Sequence, residues 1–173
     1  MTGLLDGHLA FVTGGGSGIG QGIAEGYARE GARVIAADVN LAGAEETAHN
    51  IKDAGGEAWA MKLDVTDLQS VQSMTRKVEV DIGPVSILVN NAGIVRRATI
   101  DSGSAVDDWN DTVAVNVNGL FNCVHSFQDQ LKATKGRVIN IGSIQSFVHT
   151  PNSVAYTTSK LSLIHISEPT RPY

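Results

Sequence analysis

Tyr156 and Lys160 have the residue types and the spacing for proton transfer. Residues four apart share one face of a helix, about a turn from each other. A free tyrosine hydroxyl titrates near ~10, and bringing that value to about 7 takes about 4 kcal/mol of preference for the phenolate. An ammonium about 4 Å away supplies about that much at an effective dielectric of about 20. The pair is therefore suited to general acid/base chemistry at neutral pH.

Ser143 adds a hydroxyl that follows a predicted strand, where it can hydrogen-bond the oxygen atom that Tyr156 protonates or deprotonates. Together the three side chains indicate a site that moves a proton on or off a carbinol oxygen. A Tyr–Lys pair of this spacing is, taken alone, more often an ordinary surface pair. The interpretation therefore depends on the elements that precede it.

Strands and helices alternate along the chain before this site. Short apolar runs predict strands at residues 8–13, 33–38, 58–63, 85–90 and 137–141. Helical patterns separate them at residues 19–28, 41–54, 67–80 and 105–132. Strands that are apolar along their length and alternate with helices predict a parallel sheet covered on both faces.

The segment from Ala105 to Lys132 is predicted to be one long amphipathic helix. Its apolar face would consist of Val113, Val117, Leu120, Phe121, Val124, Phe127 and Leu131. Trp109, with Asp107 and Asp108 beside it, is interpreted as a helix start with a packed aromatic side chain.

A glycine-rich loop, residues 13–20, lies between the first strand and the first helix. Glycines let the backbone turn tightly and approach a pyrophosphate, and the helix N-terminus offers unpaired N–H groups. Asp38 ends the next strand, where a carboxylate can accept hydrogen bonds from ribose hydroxyls and repel a 2′-phosphate. The alternative for Asp38 is a helix N-cap or a solvated turn residue. Neither the loop glycines nor Val39 and Asn40 supply a cation for that phosphate, so the sequence favours NAD over NADP.

Composition excludes several classes of function. The chain has 173 residues, 42% hydrophobic content, a net charge of −5 and no Lys/Arg cluster, which suits one soluble domain and makes nucleic acid a poor guess as a partner. It has neither a leader pattern nor an apolar run of membrane-spanning length, so no membrane partner is expected. The single cysteine, Cys123, is interpreted as a small buried hydrophobe in a reducing compartment, so we expect a cytoplasmic location. The five histidines lack the spacing of metal ligands, so we expect no metal.

These motifs together resemble the short-chain dehydrogenase/reductase family over about residues 5–160. The motifs are the glycine loop, Asn90–Gly93, Asn116, Ser143 and Tyr156-x-x-x-Lys160. The resemblance implies a Rossmann-type, doubly wound α/β sheet of strand order 3-2-1-4-5, with residues 1–160 forming the NAD-binding domain. It also implies the following cofactor-binding residues: Gly14, Ser17, Gly18, Ile19, Gly20, Asp38, Asp64, Val65, Asn91, Ala92, Gly93, Tyr156 and Lys160.

The resemblance assigns catalytic roles to Asn116, Ser143, Tyr156 and Lys160. Tyr156 would be the acid/base, Ser143 would orient the substrate oxygen, and Lys160 would bind the nicotinamide ribose and lower the pKa of Tyr156. Asn116 would hold a helix distortion and a water that relays protons. The residues themselves say little about Asn116, which is equally interpretable as a buried, satisfied amide or as a surface residue.

The sequence after Lys160 departs from the family pattern. Pro169 and Pro172 cannot lie inside a helix, and residues 161–173 are interpreted as a non-native tail that resembles a translated sequencing adapter. We therefore expect a fold truncated before the last strands, a fifth strand left at an exposed edge, and an inactive chain derived from an active parent.

The predicted function of the parent is the NAD-dependent interconversion of a secondary alcohol and a ketone. The expected substrate is a small polyol, a sugar acid or a similar compound, and the family implies a homo-oligomer. Two alternatives stay open, namely a 3-oxoacyl-thioester reductase and a non-catalytic NAD-binding protein.

Overall fold

Five strands and six helices alternate along the chain in the computed structural model, which describes residues 3–166. The strands are β1 (Leu9–Thr13), β2 (Arg33–Asp38), β3 (Ala58–Lys62), β4 (Ile87–Asn90) and β5 (Arg137–Asn140). The helices are α1 (Gly18–Arg29), α2 (Leu41–Asp53), α3 (Leu68–Asp81), α4 (Ala105–Val113), α5 (Leu120–Ala133) and α6 (Val154–Ile166).

The strands form one parallel sheet with the order β3-β2-β1-β4-β5, which confirms the predicted topology. The central strand pairs on both sides, with Phe11 opposite Ile35 of β2 and Leu88 of β4. All five residues of β1 are buried, as expected for a strand covered on both faces. Val138 of the edge strand β5 is 39% exposed, which agrees with the expected exposed edge.

The chain divides into two compact units. The first unit comprises Met1–Ala92 and Gly119–Asn140 and contains the sheet. Within it α1 contacts α2, and α3 contacts α5. Because crossovers between parallel strands are right-handed as a rule, a strand order that reverses at β1 puts the helices on both faces of the sheet. This arrangement is the predicted doubly wound, Rossmann-type fold.

One part of the core of the first unit lies between the sheet and α5. Phe11 of β1 and Phe127 of α5 are fully buried, with their ring centroids 4.7 Å apart. Gln130 is also buried there, and its side chain accepts a hydrogen bond from the Val85 amide and donates one to the Thr75 carbonyl. A polar residue thus fixes the start of β4, a contact that an apolar periodicity does not reveal.

The predicted long helix from Ala105 to Lys132 contains a distortion at the turn that includes Asn116, the residue to which the resemblance assigns one. The segment is helical throughout, but a π-helical turn, Ala114–Gly119, separates α4 from α5. Each residue added to a helix rotates the following face by about 100°, so apolar residues before and after the wide turn do not share one face. Phe121, predicted to be on the buried face, is 58% exposed.

The second unit comprises Gly93–Asn118 and Ile141–Tyr173. It contains α4, most of the π-helical turn, a short 3-10 helix (Ile144–Ser146) and α6. An isolated parallel bridge joins Ala98 to Ser153, and the Ala98 amide donates to the Asn152 carbonyl. These bonds attach the segment after β4 to the start of α6.

Helix α6 continues six residues beyond Lys160, so residues 161–166 are helical. Residues 167–173, including Pro169 and Pro172, lie outside the described residues. The division into a domain of residues 1–160 and a non-native tail therefore stays a prediction.

Residues 3–166 contain neither a membrane-spanning helix nor a cluster of metal-binding side chains. No helix within residues 3–166 has both the length and the apolar character needed to cross a bilayer. Across the same residues no group of three or more His, Cys, Asp or Glu side chains is arranged to hold a metal ion.

Candidate active site

Tyr156 and Lys160 lie together on α6, as their spacing predicts. The Lys160 ammonium nitrogen is 5.8 Å from the centroid of the Tyr156 ring. Lys160 is buried, and its Nζ donates a hydrogen bond of 2.8 Å to the carbonyl oxygen of Ile141. Burial lowers the pKa of Lys160, because desolvation disfavours the charged form. The cation is thus fixed in place by the chain that leads to Ser143.

Ser143 begins the 3-10 helix, three residues after the end of β5. Its Oγ accepts a hydrogen bond from the Gln145 amide at 3.2 Å, and its own amide donates to Ser146 Oγ at 3.4 Å. The two contacts form a capping box, which fixes the conformation of the turn. Among the hydrogen bonds of the described residues, Ser143 Oγ only accepts, so its hydroxyl proton can still be donated.

Two further hydrogen bonds attach this turn to α6. Ser146 Oγ donates to the carbonyl oxygen of Lys160 at 2.8 Å, and Thr157 Oγ1 donates to Gln145 Oε1 at 2.7 Å. Gln145 and Ser146 are both buried. With the bond from Lys160 to Ile141, three contacts fix Ser143 relative to the helix that carries Tyr156.

Asn116 lies in the π-helical turn and is a buried, fully bonded amide. Its Oδ1 accepts from the Ile94 amide at 2.8 Å, and its Nδ2 donates to the Ile94 carbonyl and to Ser159 Oγ, both at 3.0 Å. Of the two interpretations that the sequence left open, the structure supports the buried and satisfied one. The side chain joins the segment after β4 to α6.

Trp109 was predicted to be packed, but it is 40% exposed. It lines an open groove of about 250 Å³ in the second unit, together with Ile100, Val106, Val154 and Ala155. The α4 start is otherwise as predicted, with Asp107 and Asp108 in the first turn, where carboxylates favour the helix dipole. The groove borders the residue that precedes Tyr156.

The glycine loop of the first unit has backbone conformations that side chains resist. Gly14 and Gly18 adopt φ angles of +63° and +54°, in the left-handed region. A Cβ on Gly20 would overlap the Gly14 carbonyl oxygen, whereas Gly18 has no atom within 4 Å of its hypothetical Cβ. The loop is therefore closely packed beneath and open at Gly18.

The N-terminus of α1 is suited to an anion. Ser17 is the N-cap residue, yet its side chain makes no capping bond, and the first turn, which contains Ile19, has no acidic residue. Uncapped N–H groups and the positive end of the helix dipole favour a phosphate. With the open face at Gly18, these features fit the pyrophosphate of a dinucleotide.

Asp38 ends β2 and contacts the glycine loop directly. Its Oδ2 accepts from the Gly16 amide at 3.0 Å, and its Oδ1 accepts from the Asn40 amide at 2.9 Å. The residue that caps α2 is Asn40, so Asp38 is not that helix's N-cap. Each carboxylate oxygen keeps capacity for a further hydrogen bond, which fits ribose hydroxyls as donors.

Asn91 connects the ends of β1 and β4. Its Nδ2 donates to the carbonyls of Thr13 and Gly14 at 3.1 and 3.0 Å. Thr13 Oγ1 in turn accepts from the amides of Asn91 and Ala92, each at 3.1 Å. These contacts support the turn after β4, while cofactor binding by Asn91, Ala92 and Gly93 stays a prediction; Gly93 belongs to the second unit.

Asp64 and Val65 follow β3 and are fixed locally. Asp64 Oδ1 accepts from the amide and the hydroxyl of Thr66 at 2.9 and 2.7 Å, and Asp64 is exposed. Val65 is buried, and its carbonyl accepts from Asn122 Nδ2 of α5 at 2.9 Å. Contact with an adenine stays a prediction for both residues.

Sequence reasoning missed the polar residues that position the site. They are Thr13, Asn122, Gln145, Ser146, Thr157 and Ser159. The available indication was a polar residue inside an otherwise apolar element, as for Asn122 in α5. Cys123, by contrast, is buried as predicted, and its burial raises its pKa to about 12, which keeps the thiol protonated and unreactive.

The fold and these two sets of residues define a class: an α/β protein with a dinucleotide-type loop in one unit and a Ser–Tyr–Lys constellation in the other. Residues 8–171 match the short chain dehydrogenase family. The chain belongs to that family.

Comparison with known proteins gives three informative relatives. D-threitol dehydrogenase of Mycolicibacterium smegmatis is 38% identical over 165 residues, which are 95% of this chain and 63% of that protein. 3-Oxoacyl-acyl-carrier-protein reductase FabG of Staphylococcus aureus is 34% identical over 164 residues, which are 92% of this chain and 65% of the reductase.

A solved structure of a gluconate 5-dehydrogenase from Burkholderia cenocepacia, in complex with NADP and tartrate, has a TM-score of 0.86 to this chain. It is 35% identical, and the match covers 94% of this chain and 64% of the gluconate dehydrogenase. The chain thus spans less than two thirds of the length of each of these three proteins.

Proposed function

We propose that the whole protein, meaning this chain with any sequence that continues it, is an oxidoreductase that interconverts a secondary alcohol and a ketone with a nicotinamide cofactor. The observation that carries the proposal is the arrangement of Ser143, Tyr156 and Lys160 in the second unit. Hydrogen bonds attach the Ser143 turn to α6, and on that helix Lys160 Nζ lies 5.8 Å from the centroid of the Tyr156 ring. A lone Tyr–Lys pair would be weak evidence. The case is stronger here because the Ser143 turn is attached to α6 and the first unit contains a glycine loop suited to a dinucleotide. A proton-coupled hydride transfer needs both a proton-transfer group and a bound nicotinamide.

Each side chain has a role in the proposal that follows from its contacts. The Tyr156 hydroxyl moves the proton to or from the substrate oxygen. Ser143 donates a hydrogen bond from its hydroxyl to that oxygen and orients it. Lys160, whose Nζ is 5.8 Å from the Tyr156 ring centroid, places a positive charge beside the reacting group. A bound nicotinamide would supply or take up the hydride.

NAD is proposed as the preferred cofactor. Asp38 is the charged group at the end of β2, and a carboxylate there opposes the 2′-phosphate that distinguishes NADP. No basic residue stands at Gly15, Gly16, Val39 or Asn40. The gluconate 5-dehydrogenase solved with NADP points the other way, so both cofactors belong in the assay.

A small polyol or a sugar acid is proposed as the substrate. The support is similarity to a D-threitol dehydrogenase and to a gluconate 5-dehydrogenase. A 3-oxoacyl thioester is the second candidate, because the FabG reductase is similar over nearly the same share of this chain. A non-catalytic NAD-binding protein is a third, less favoured candidate, since the chain keeps both Tyr156 and Lys160.

The test is turnover by the purified whole protein, followed by the absorbance of the reduced nicotinamide. Threitol, gluconate and a 3-oxoacyl thioester are each assayed with both cofactors. We expect the highest kcat/KM with NAD and a polyol or sugar acid. Preference for the thioester with NADPH would favour the reductase instead, and binding of cofactor without any turnover would favour the non-catalytic protein.

We also propose a homo-oligomer located in the cytoplasm. The support is the family resemblance and the use of one buried, unpaired cysteine, which suits a reducing compartment. Sedimentation of the purified protein and fractionation of cells test the two statements separately. A monomer at all concentrations, or recovery outside the cytoplasm, would contradict the respective statement.

A further inference from the structure

Ser159 is a fully buried hydroxyl three residues after Tyr156 on α6. Its Oγ donates to the carbonyl oxygen of Tyr156 at 2.7 Å and accepts from Asn116 Nδ2 at 3.0 Å. One side chain therefore joins the residue that carries the reacting hydroxyl to the amide of the π-helical turn. All three residues belong to the second unit.

The hydrogen bonds of Asn116 fix the direction of its amide. Oδ1 faces the N–H of Ile94, and Nδ2 faces the Ile94 carbonyl and Ser159. Rotating the amide by half a turn would put two donors against each other at Ile94. Asn116 is 2% exposed, so water does not readily replace a lost partner. Removing the Ser159 hydroxyl would leave one amide hydrogen buried without an acceptor.

We propose that Ser159 is a positioning residue for Tyr156, which acts by holding α6 against the Asn116 amide. The proposal rests on the proposed oxidoreductase function, because the purpose of the contact is the placement of the reacting hydroxyl. Small displacements of a catalytic group can reduce the rate of the chemical step by up to about a hundredfold. Ser159 does not touch the reacting atoms and is not a catalytic residue.

Ser162 provides a matched control on the same helix. Its Oγ donates to the carbonyl oxygen three residues earlier, that of Ser159, at 2.7 Å, as Ser159 does to Tyr156. Ser162 is half-buried, and among the described residues Asn116 Nδ2 donates to the hydroxyl of Ser159 and not to that of Ser162. Ser162→Ala therefore removes the same kind of helix contact without touching the π-helical turn.

The first experiment needs no activity. In the 173-residue chain, the side-chain amide protons of Asn116 are followed by NMR hydrogen exchange in the wild type and in both variants. We expect Ser159→Ala to accelerate this exchange by about tenfold or more relative to Ser162→Ala, because a buried hydrogen bond protects its proton. Equal exchange in the two variants would overturn the proposed contact.

The second experiment measures kinetics in the whole protein. Ser159→Ala is expected to lower kcat about tenfold while the KM for the cofactor stays within about twofold of the wild type. In a cycle with Asn116→Ala, the double variant should lose no more than Asn116→Ala alone, because the two residues act as one unit. Independent, additive losses, or kinetics of Ser159→Ala equal to those of Ser162→Ala, would refute the positioning role.

Ser159→Cys is the second variant in case Ser159→Ala does not fold. Its thiol keeps a weak hydrogen-bond donor and acceptor in nearly the same volume. We expect it to recover part of the lost kcat. If the wild type itself shows no turnover, the proposed function fails, while the exchange measurement still decides whether Ser159 holds Asn116.

Discussion

The two units of this protein position their candidate functional residues by different means. In the first unit, the glycine loop is shaped by what the residues lack: Gly14 and Gly18 adopt left-handed backbone angles, and Gly20 leaves no room for a Cβ. In the second unit, hydrogen bonds hold Ser143 and the helix that carries Tyr156: the Gln145 amide donates to Ser143 Oγ, and Ser146 Oγ donates to the Lys160 carbonyl oxygen. The loop is therefore sensitive to added volume, and the Ser–Tyr–Lys site is sensitive to removed hydrogen bonds.

This difference predicts opposite kinetic consequences for substitutions in the two units. Changes in the glycine loop should impair cofactor binding, because the backbone surface offered to the phosphates is altered. Changes among the hydrogen-bonded side chains of the second unit should impair the chemical step and leave binding nearly intact.

The largest effect is expected for Tyr156→Phe. The ring and its approach to Lys160 are retained, so folding should be little affected, but the proton donor and acceptor is lost. We expect kcat to fall by about 10²–10⁴, the usual contribution of acid/base catalysis. Steady-state kinetics of the whole protein measure the fall in kcat, and a fluorescence titration with reduced cofactor checks that the variant is still folded and binds it. Substantial turnover by Tyr156→Phe would contradict the assignment of the acid/base.

Gly20→Ala should have the opposite profile. The new methyl group would overlap the Gly14 carbonyl and lie 2.5 Å from Asn91 Nδ2, so the loop must shift. We expect a loss of about 1–3 kcal/mol of stability, typical of overpacking, and much weaker cofactor binding. Denaturant unfolding and cofactor titration measure the two effects.

Gly22→Ala is the matched control for that prediction. Gly22 lies inside α1 with no atom within 4 Å of its hypothetical Cβ, so alanine should stabilise the helix by about 0.5–1 kcal/mol. Cofactor binding should be unchanged. Equal behaviour of the two variants would show that the loop tolerates added volume and would remove the contrast between the units.

The smallest effect concerns the pH dependence of stability at Lys160. Burial places the pKa of Lys160 below the ordinary value of 10.5, so between the lowered value and 10.5 the unfolded chain binds more protons than the folded one. The penalty for burying the charge is therefore present below the folded pKa and is relieved as the pH rises through this window. The free energy of unfolding of the wild type should gain from this group with increasing pH.

Lys160→Met should abolish that gain. The measurement is the difference in unfolding free energy between the two proteins at several pH values up to about 10.5. Lys52→Met, at an exposed position of α2, is the control for a general loss of positive charge. A pH-independent difference for Lys160→Met would show that the cation is not desolvated.

The sequence by itself determined the positions of the strands within about two residues and the placing of Tyr156 and Lys160 together on one helix. These features follow from local pattern: apolar runs, glycine turns and the four-residue spacing of Tyr156 and Lys160. An apolar run predicts a buried strand wherever the rest of the chain covers it, so strand prediction needed no knowledge of distant contacts. The order of the strands in the sheet was implied by the family resemblance and not by these local patterns.

Only the tertiary structure decided what holds the site. The bonded state of Asn116 depends on partners far along the chain, Ile94 and Ser159. Hydrophobic periodicity contains no information about such partners, because a hydrogen bond between distant segments exists only once packing has brought donor and acceptor within about 3 Å. For that reason the candidate reacting residues could be proposed from the sequence, whereas the residues that position them could not.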